Sequence, residues 1–243
     1  MRLRPVLAQA KVELMLTLRR GESLIVTLAI PLGILVFFGK IDAIKTDFAD
    51  PLEFLVPGVL ALAVMSAAMV SLGIATGFER RYGVLKRLGC TPLTRGGLLI
   101  AKTGTILALE VVQTAAIIAT GAALGWSVPG GIGAALGLIL VGTVAFAGVG
   151  MFLAGTLRAE ANLALANGLF LVLMFLGGMA YPLADLPRSV RDFAHLLPAA
   201  ALSECLRGVL TTGTKFPMGS LAVLAAWAVG APALAARWFR WED

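Results

Sequence analysis

Six runs of apolar residues divide this chain, each close to the roughly 20 residues that an α-helix needs to cross the hydrocarbon core of a bilayer. They lie at about Ser23–Gly39, Phe54–Gly77, Gly104–Trp126, Gly130–Leu157, Leu163–Ala180 and Met218–Trp238. Of the 243 residues, 59% are apolar and 14% charged, whereas a soluble domain carries about 25% charged residues. A surface so poor in charge cannot be wetted. A cytosolic enzyme, a secreted disulfide scaffold and a disordered chain are therefore excluded, and the expected fold is an all-α polytopic membrane protein with six transmembrane helices. The first run is short and contains Pro31, and basic residues precede it as they would in a secretory leader. Yet Phe37-Phe38-Gly39-Lys40 offers no small-residue cleavage site, so a retained helix is expected.

The net charge of +6 gives orientation rather than a nucleic-acid partner, because the basic residues cluster between the apolar runs. With both termini cytoplasmic, 14 of the 20 Lys and Arg fall on the inner side and 6 on the outer side, as the positive-inside rule requires. The first outer loop agrees, since Asp42, Asp47, Asp50 and Glu53 outnumber its two lysines. Cys90 and Cys205 then lie on opposite sides, too far apart to pair, and their spacing fits no metal motif.

The segments between the runs carry more information. In residues 2–20, Leu3, Leu7, Ala10, Leu14 and Leu18 recur at steps of four and three, with Arg4, Gln9, Lys11, Glu13 and Arg20 elsewhere. This predicts an amphipathic helix lying at the cytoplasmic interface of the bilayer. After the second run, Tyr82, Leu85 and Leu88 predict one face of a short charged helix that Gly89 ends. Thr91 and Pro92 read as the N-cap and first residue of the next helix, which would run about 50 Å to Trp126. A short helix held rigidly between two long ones suits the receipt of force from a soluble partner. The plainer reading is a solvated basic loop that only sets topology. Between the fifth and sixth runs, residues 181–217 are too polar to span and too apolar for a free loop. Two short helices dipping into the outer leaflet and broken at Pro198 meet both conditions. The acidic loop after the first run reads as a solvated connection.

The pattern Glu79-Arg80…Gly83…Leu85…Leu88…Thr91-Pro92, placed between the second and third of six spans, resembles the ABC-2-type permeases of ATP-binding-cassette exporters. The resemblance covers nearly the whole chain in element order, and this motif is its specific part. It implies that residues of about 78–91, with Glu79, Arg80, Tyr82, Gly83, Leu85, Leu88, Thr91 and Pro92, form a coupling helix that docks on a separate ATPase subunit. Residues 1–22 would be the connecting helix and 23–243 the permease domain, with paired external helices at about 181–217 that end in one carrying Arg207. The resemblance further implies two ATPase subunits, which bind the ATP and Mg while this chain binds no cofactor. It also implies a second permease, identical or paralogous, and residence in a bacterial inner membrane. The substrate leaving the cytoplasm would be a hydrophobic drug, a lipid or a lipid-linked glycan. The alternatives are a non-transporting anchor or regulatory subunit, and an ion-coupled carrier.

Catalytic chemistry of the chain's own is not expected. His195 stands alone and reads as a hydrogen-bonded structural residue, and neither H-E-x-x-H nor G-x-S-x-G is present. Gly96-Gly97-Leu98-Leu99-Ile100-Ala101-Lys102-Thr103 falls one residue short of a P-loop, with Ala101 where the second glycine belongs, and it climbs into a membrane helix. It is read as coincidence. Glu110 is a candidate intramembrane acid, because a charge at such depth is costly; snorkelling, pairing with a neighbouring helix and a transport role all remain open. Met65, Met69, Phe170, Met174 and Phe175 are candidates for an apolar substrate path between subunits, against a plain role in packing. Gly73-x-x-x-Gly77, Gly121-x-x-x-Gly125 and Gly133-x-x-x-Gly137 predict close helix packing.

Overall fold

A computed structural model describes residues 3–19, 21–40, 51–91, 93–127, 130–211 and 216–240, and every regular element among them is helical. In chain order these are α1 (Leu3–Arg19), α2 (Gly21–Lys40), α3 (Pro51–Met65), a π turn (Ser66–Ser71), α4 (Leu72–Arg81), α5 (Val84–Gly89) and α6 (Arg95–Ala123). There follow α7 (Ile132–Thr156), α8 (Ala159–Leu176), a 3-10 turn (Leu183–Asp185), α9 (Arg188–Ala194), α10 (Pro198–Leu210) and α11 (Met218–Trp238). The acidic loop at 41–50 and Pro92 lie outside the described residues.

All six apolar runs are helices. α3, the π turn and α4 are continuous over Pro51–Arg81, and with α6, α7, α8 and α11 they give five helices long and apolar enough to cross a membrane. The first run forms α2, whose 20 residues span about 30 Å, the thickness of a bilayer core. α9 and α10 meet at 84°, and the break falls at Pro198, the first residue of α10. That is the bent pair of short helices predicted between the fifth and sixth runs.

The α3–α4 rod is the pillar of the bundle. From Phe54 to Met65 every residue is buried, because α2, α6, α7 and α10 surround this half, while α7 and α8 pack on α4. A helix apolar on all sides has no stripe to turn toward solvent, and such a helix belongs in the centre of a bundle or in lipid. Backbone contact brings α4 and α7 together. A Cβ on Gly73 would stand 3.0 Å from the Gly150 carbonyl oxygen, and one on Gly150 only 2.6 Å from the Met69 carbonyl oxygen in the π turn. Gly77 in turn makes room for Asn162 of α8, whose Nδ2 donates to the Gly73 carbonyl at 2.8 Å. The first of the three glycine pairs thus packs helices on both of its members. Gly121 packs on Val56 and Trp126, Gly125 lies beyond the end of α6, and Gly133 and Gly137 face open space.

The α1 expectation needs revision. Leu7 is exposed, along with Val12, Met15 and Leu16, while Val6 is buried and Gln9, Ala10 and Glu13 are partly buried. Among the described side chains, the side turned to the bundle runs through Val6, Ala10 and Glu13 with Leu14 partly buried beside them, and Leu7 is the member of the expected stripe that faces away. A buried lysine on α6 draws Glu13 inward and sets this rotation.

At the far end, α10 is lashed to the pillar. The Arg207 guanidinium lies over the Phe54 ring at 4.1 Å and donates to the Gly178 carbonyl, and Ser203 donates to the Gly177 carbonyl. His195 Nδ1 lies 3.0 Å from Glu204 Oε1, and Ser220 at the start of α11 donates to Glu204 Oε2 at 2.5 Å. His195 is thus a bonded residue of the hairpin. Arg207→Met is expected to lower stability by about 2 kcal/mol, the scale of a buried charge-assisted hydrogen bond. Arg207→Lys should recover less than half of that, since an ammonium lacks the planar fork; thermal unfolding in detergent measures both.

Candidate functional site

The end of the bundle that carries α5 holds most of the motif residues. Glu79, Arg80 and Arg81 close α4, and successive residues of an α-helix point about 100° apart. They therefore reach in three directions. Glu79 Oε2 lies 2.7 Å from Lys102 Nζ on α6. Arg80 is buried and donates to the Leu157 carbonyl at the end of α7. Arg81 forms an exposed ion pair with Glu160 in the first turn of α8. One short sequence fastens the foot of the pillar to three neighbouring spans.

Lys102 is the most buried member of this cluster. Its side chain is 1% exposed, and its ammonium also lies 2.8 Å from Glu13 Oε1 of α1. The near P-loop is thus the opening of α6, and its lysine serves two carboxylates from other helices.

Gly83 follows with φ +72°, a left-handed conformation that costs other L-residues about 1–2 kcal/mol. Its N–H donates to the Arg80 carbonyl at 3.0 Å, and its carbonyl accepts from Arg87 N–H at 3.3 Å. A single residue thereby ends α4 and opens α5 at a new angle. In α5 the expected common face of Tyr82, Leu85 and Leu88 is split. Leu85 is fully buried in the main core and Leu88 is half-buried, whereas Tyr82 is 70% exposed and stacks on Phe78. The surface presented outward is Tyr82, Val84, Lys86 and Arg87. A helix so short is held only by what it buries, and Leu85 is that anchor.

The junction with α6 also differs from expectation. Thr94, not Thr91, is the N-cap, accepting from Gly97 N–H at 3.0 Å. Thr91 instead donates to the Leu88 carbonyl at 2.6 Å and finishes α5. Leu85→Ala should cost about 2–5 kcal/mol through the cavity it leaves, whereas Tyr82→Ala should leave thermal stability within about 0.5 kcal/mol. Comparing the two melting temperatures tests this division between anchor and surface.

Glu110 lies deeper in α6 and is buried. Thr143 of α7 bonds its Oε2, while Gln113 Nε2 donates to the Thr27 carbonyl of α2 at 2.9 Å. It therefore turns into the bundle and pairs with a neighbouring helix rather than snorkelling. The residues considered for a substrate path separate. Met65 and Met69 are fully buried within this single chain, while Phe170 and Met174 are half-buried and Phe175 is exposed on α8. A path along the outside of the chain can include the α8 residues but not the two methionines of the pillar, which are enclosed by their neighbours.

Lys102, Glu13, Arg81 and Asn162 are the functional candidates that pattern reading missed. A signal for Lys102 was present: a lysine inside a long apolar helix, with Thr105, Glu110 and Gln113 spaced so as to share its buried side.

The described residues form an all-helical multi-pass membrane domain with a short charged helix between its second and third apolar runs. Residues 6–211 match the family model described as ABC-2 type transporter, and the chain belongs to that family. Among curated proteins, none matches it.

Proposed function

We propose that this chain is the membrane subunit of an ATP-dependent exporter whose energy arrives through α5. The observation that carries this reading is the mounting of α5. It presents Tyr82, Val84, Lys86 and Arg87 outward, is set at its angle by a left-handed Gly83, and stands at the foot of the pillar, which Glu79, Arg80 and Arg81 tie to α6, α7 and α8. A displacement of α5 is thereby delivered to four spans together. The positive-inside count supports a cytoplasmic position for this end and for both termini, and the family membership is compatible with residence in a bacterial inner membrane.

In this reading a pair of ATPase subunits binds ATP and Mg, and each receives the α5 of one permease in a groove that accepts an aromatic ring and two cations. Two permease chains form the transport path, and Phe170, Met174 and Phe175 on α8 line it for a hydrophobic or amphiphilic substrate. Closure of the ATPase pair drives α5 toward the membrane and shifts the two halves so that substrate leaves outward. Glu110 joins α6 to α7 within each half.

Affinity purification of the chain from native membranes in mild detergent, with mass spectrometry of what accompanies it, tests the reading. A nucleotide-binding ATPase should copurify, and Tyr82→Asp with Val84→Asp should release it while the permease stays folded. Recovery of the chain alone, under conditions that keep other such complexes whole, would favour a non-transporting subunit.

A further inference from the structure

Lys102 occupies a position unusual for a lysine: buried at the base of a membrane helix, between carboxylates from two other elements. Glu13 belongs to α1 and Glu79 to the end of α4, three residues before the exposed Tyr82. A buried ammonium without counter-charge is strongly disfavoured, and so is a carboxylate that loses its cation. Departure of α1 or of α4 would take a carboxylate from the cation it shares and leave Lys102 with only one, so both helices are tied to α6 through a single ammonium. Further contacts hold the same seam. Thr105 of α6 donates to the Ala10 carbonyl at 3.4 Å, and Val6 packs over Gly97, where a Cβ would meet it at 3.2 Å.

We infer that Lys102 is a positioning residue that locks α1, the foot of α4 with its attached α5, and the base of α6 into one rigid lever. The inference rests on the reading of α5 as the receiver of force. α1 then moves with α5 rather than serving only as a passive float on the membrane surface, and a push on either element reaches α6 through the same ammonium. Leu7, Val12, Met15 and Leu16, exposed on the outer side of α1, ride on this lever.

Spin labels at exposed Lys11 on α1 and exposed Arg87 on α5, in a background with Cys90 and Cys205 replaced by serine, report the distance between the two helices. In the permease alone, reconstituted in nanodiscs, the distance distribution should be narrow, and Glu13→Gln should broaden it. With the ATPase bound, the distance should stay the same in the nucleotide-free and ATP-bound states. The triple variant Glu13→Gln, Glu79→Gln, Lys102→Met leaves no stranded charge, so it serves as the folded control. It should still hydrolyse ATP in the complex while moving about tenfold less substrate per ATP, the scale of an ordinary coupling free energy. A distance that changes on ATP binding in the unmodified protein, or a triple variant with a narrow distribution and an unchanged transport ratio, would overturn the lever. The nanodisc measurement needs no ATPase, so absence of an ATPase partner would overturn the proposed function and leave the lever standing on its own result.

Discussion

Gly83→Pro should insert into the membrane normally and lose ATP-driven transport by about a hundredfold or more. Proline fixes φ near −65°, whereas Gly83 sits at +72°. Proline also lacks the N–H that Gly83 donates to the Arg80 carbonyl. Both defects fall on the joint between α4 and α5, and together they cost about 3 kcal/mol or more. α5 has six residues and too little hydrogen bonding of its own to survive that loss. Gly83→Ala keeps the N–H and carries only the left-handed penalty of about 1–2 kcal/mol, so its transport should fall roughly tenfold. Uptake into inverted vesicles, alongside the amount of inserted protein, gives both values. Equal activity in all three proteins would remove the joint from the mechanism.

A second large effect is expected at the contact between α4 and α7. Gly150→Val should reduce the yield of folded protein sharply and destabilise what remains by about 3 kcal/mol, the upper range for overpacking. Even a single Cβ at Gly150 would lie 2.6 Å from the Met69 carbonyl oxygen and 3.0 Å from that of Ala68. Neither is the end of a flexible side chain that could swing away, so the helices must part. Gly137→Val, on the same helix but facing open space, is the matched control and should be almost silent. Size-exclusion profiles after heating distinguish the two, and equal loss in both would mean that valine harms α7 for reasons unrelated to the contact.

Much of the fold was legible in the sequence because lipid imposes a single strong rule. Runs of about 20 apolar residues must become helices, and all six did; the last of them, Met218–Trp238, matches its helix at both ends. The bent hairpin at Pro198 was legible for a related reason, since polar backbone at depth needs protein around it. Side-chain direction at the foot of the bundle was not. Tyr82, Leu85 and Leu88 suggested one face because helical spacing was applied across Gly83, whose positive φ breaks the phase between Tyr82 and α5. Lys102 was read within its own stretch of sequence, where a near P-loop was the nearest pattern. Its meaning came from Glu13 and Glu79, which are 89 and 23 positions away. On α1 the departure of Leu7 from the packed side, and the inward turn of Glu13, have the same cause: periodicity within a helix cannot show that a buried cation elsewhere will draw a glutamate inward. The glycine pairs were ambiguous because close approach depends on the partner surface, and only the tertiary structure set Gly150 opposite Gly73.

The π turn at Ser66–Ser71 has a bearing on how this rod tolerates change along its length. A π turn accommodates an extra residue within an otherwise α-helical rod, and each residue advances an α-helix by about 100°. Removing one residue there would restore ordinary winding and leave everything beyond it on its present bearing, because the widened turn absorbs the extra residue. Phe54 and Gly58 would keep their places under Arg207 and Met179. Glu79, Arg80 and Arg81 would keep theirs opposite Lys102, Leu157 and Glu160, whereas the same deletion in the plain α-helical part of the rod would turn all three away by about 100°. The turn thus acts as a slack-absorbing device: the rod holds one residue more at mid-membrane without altering the compass bearing of its charged foot relative to its apolar head.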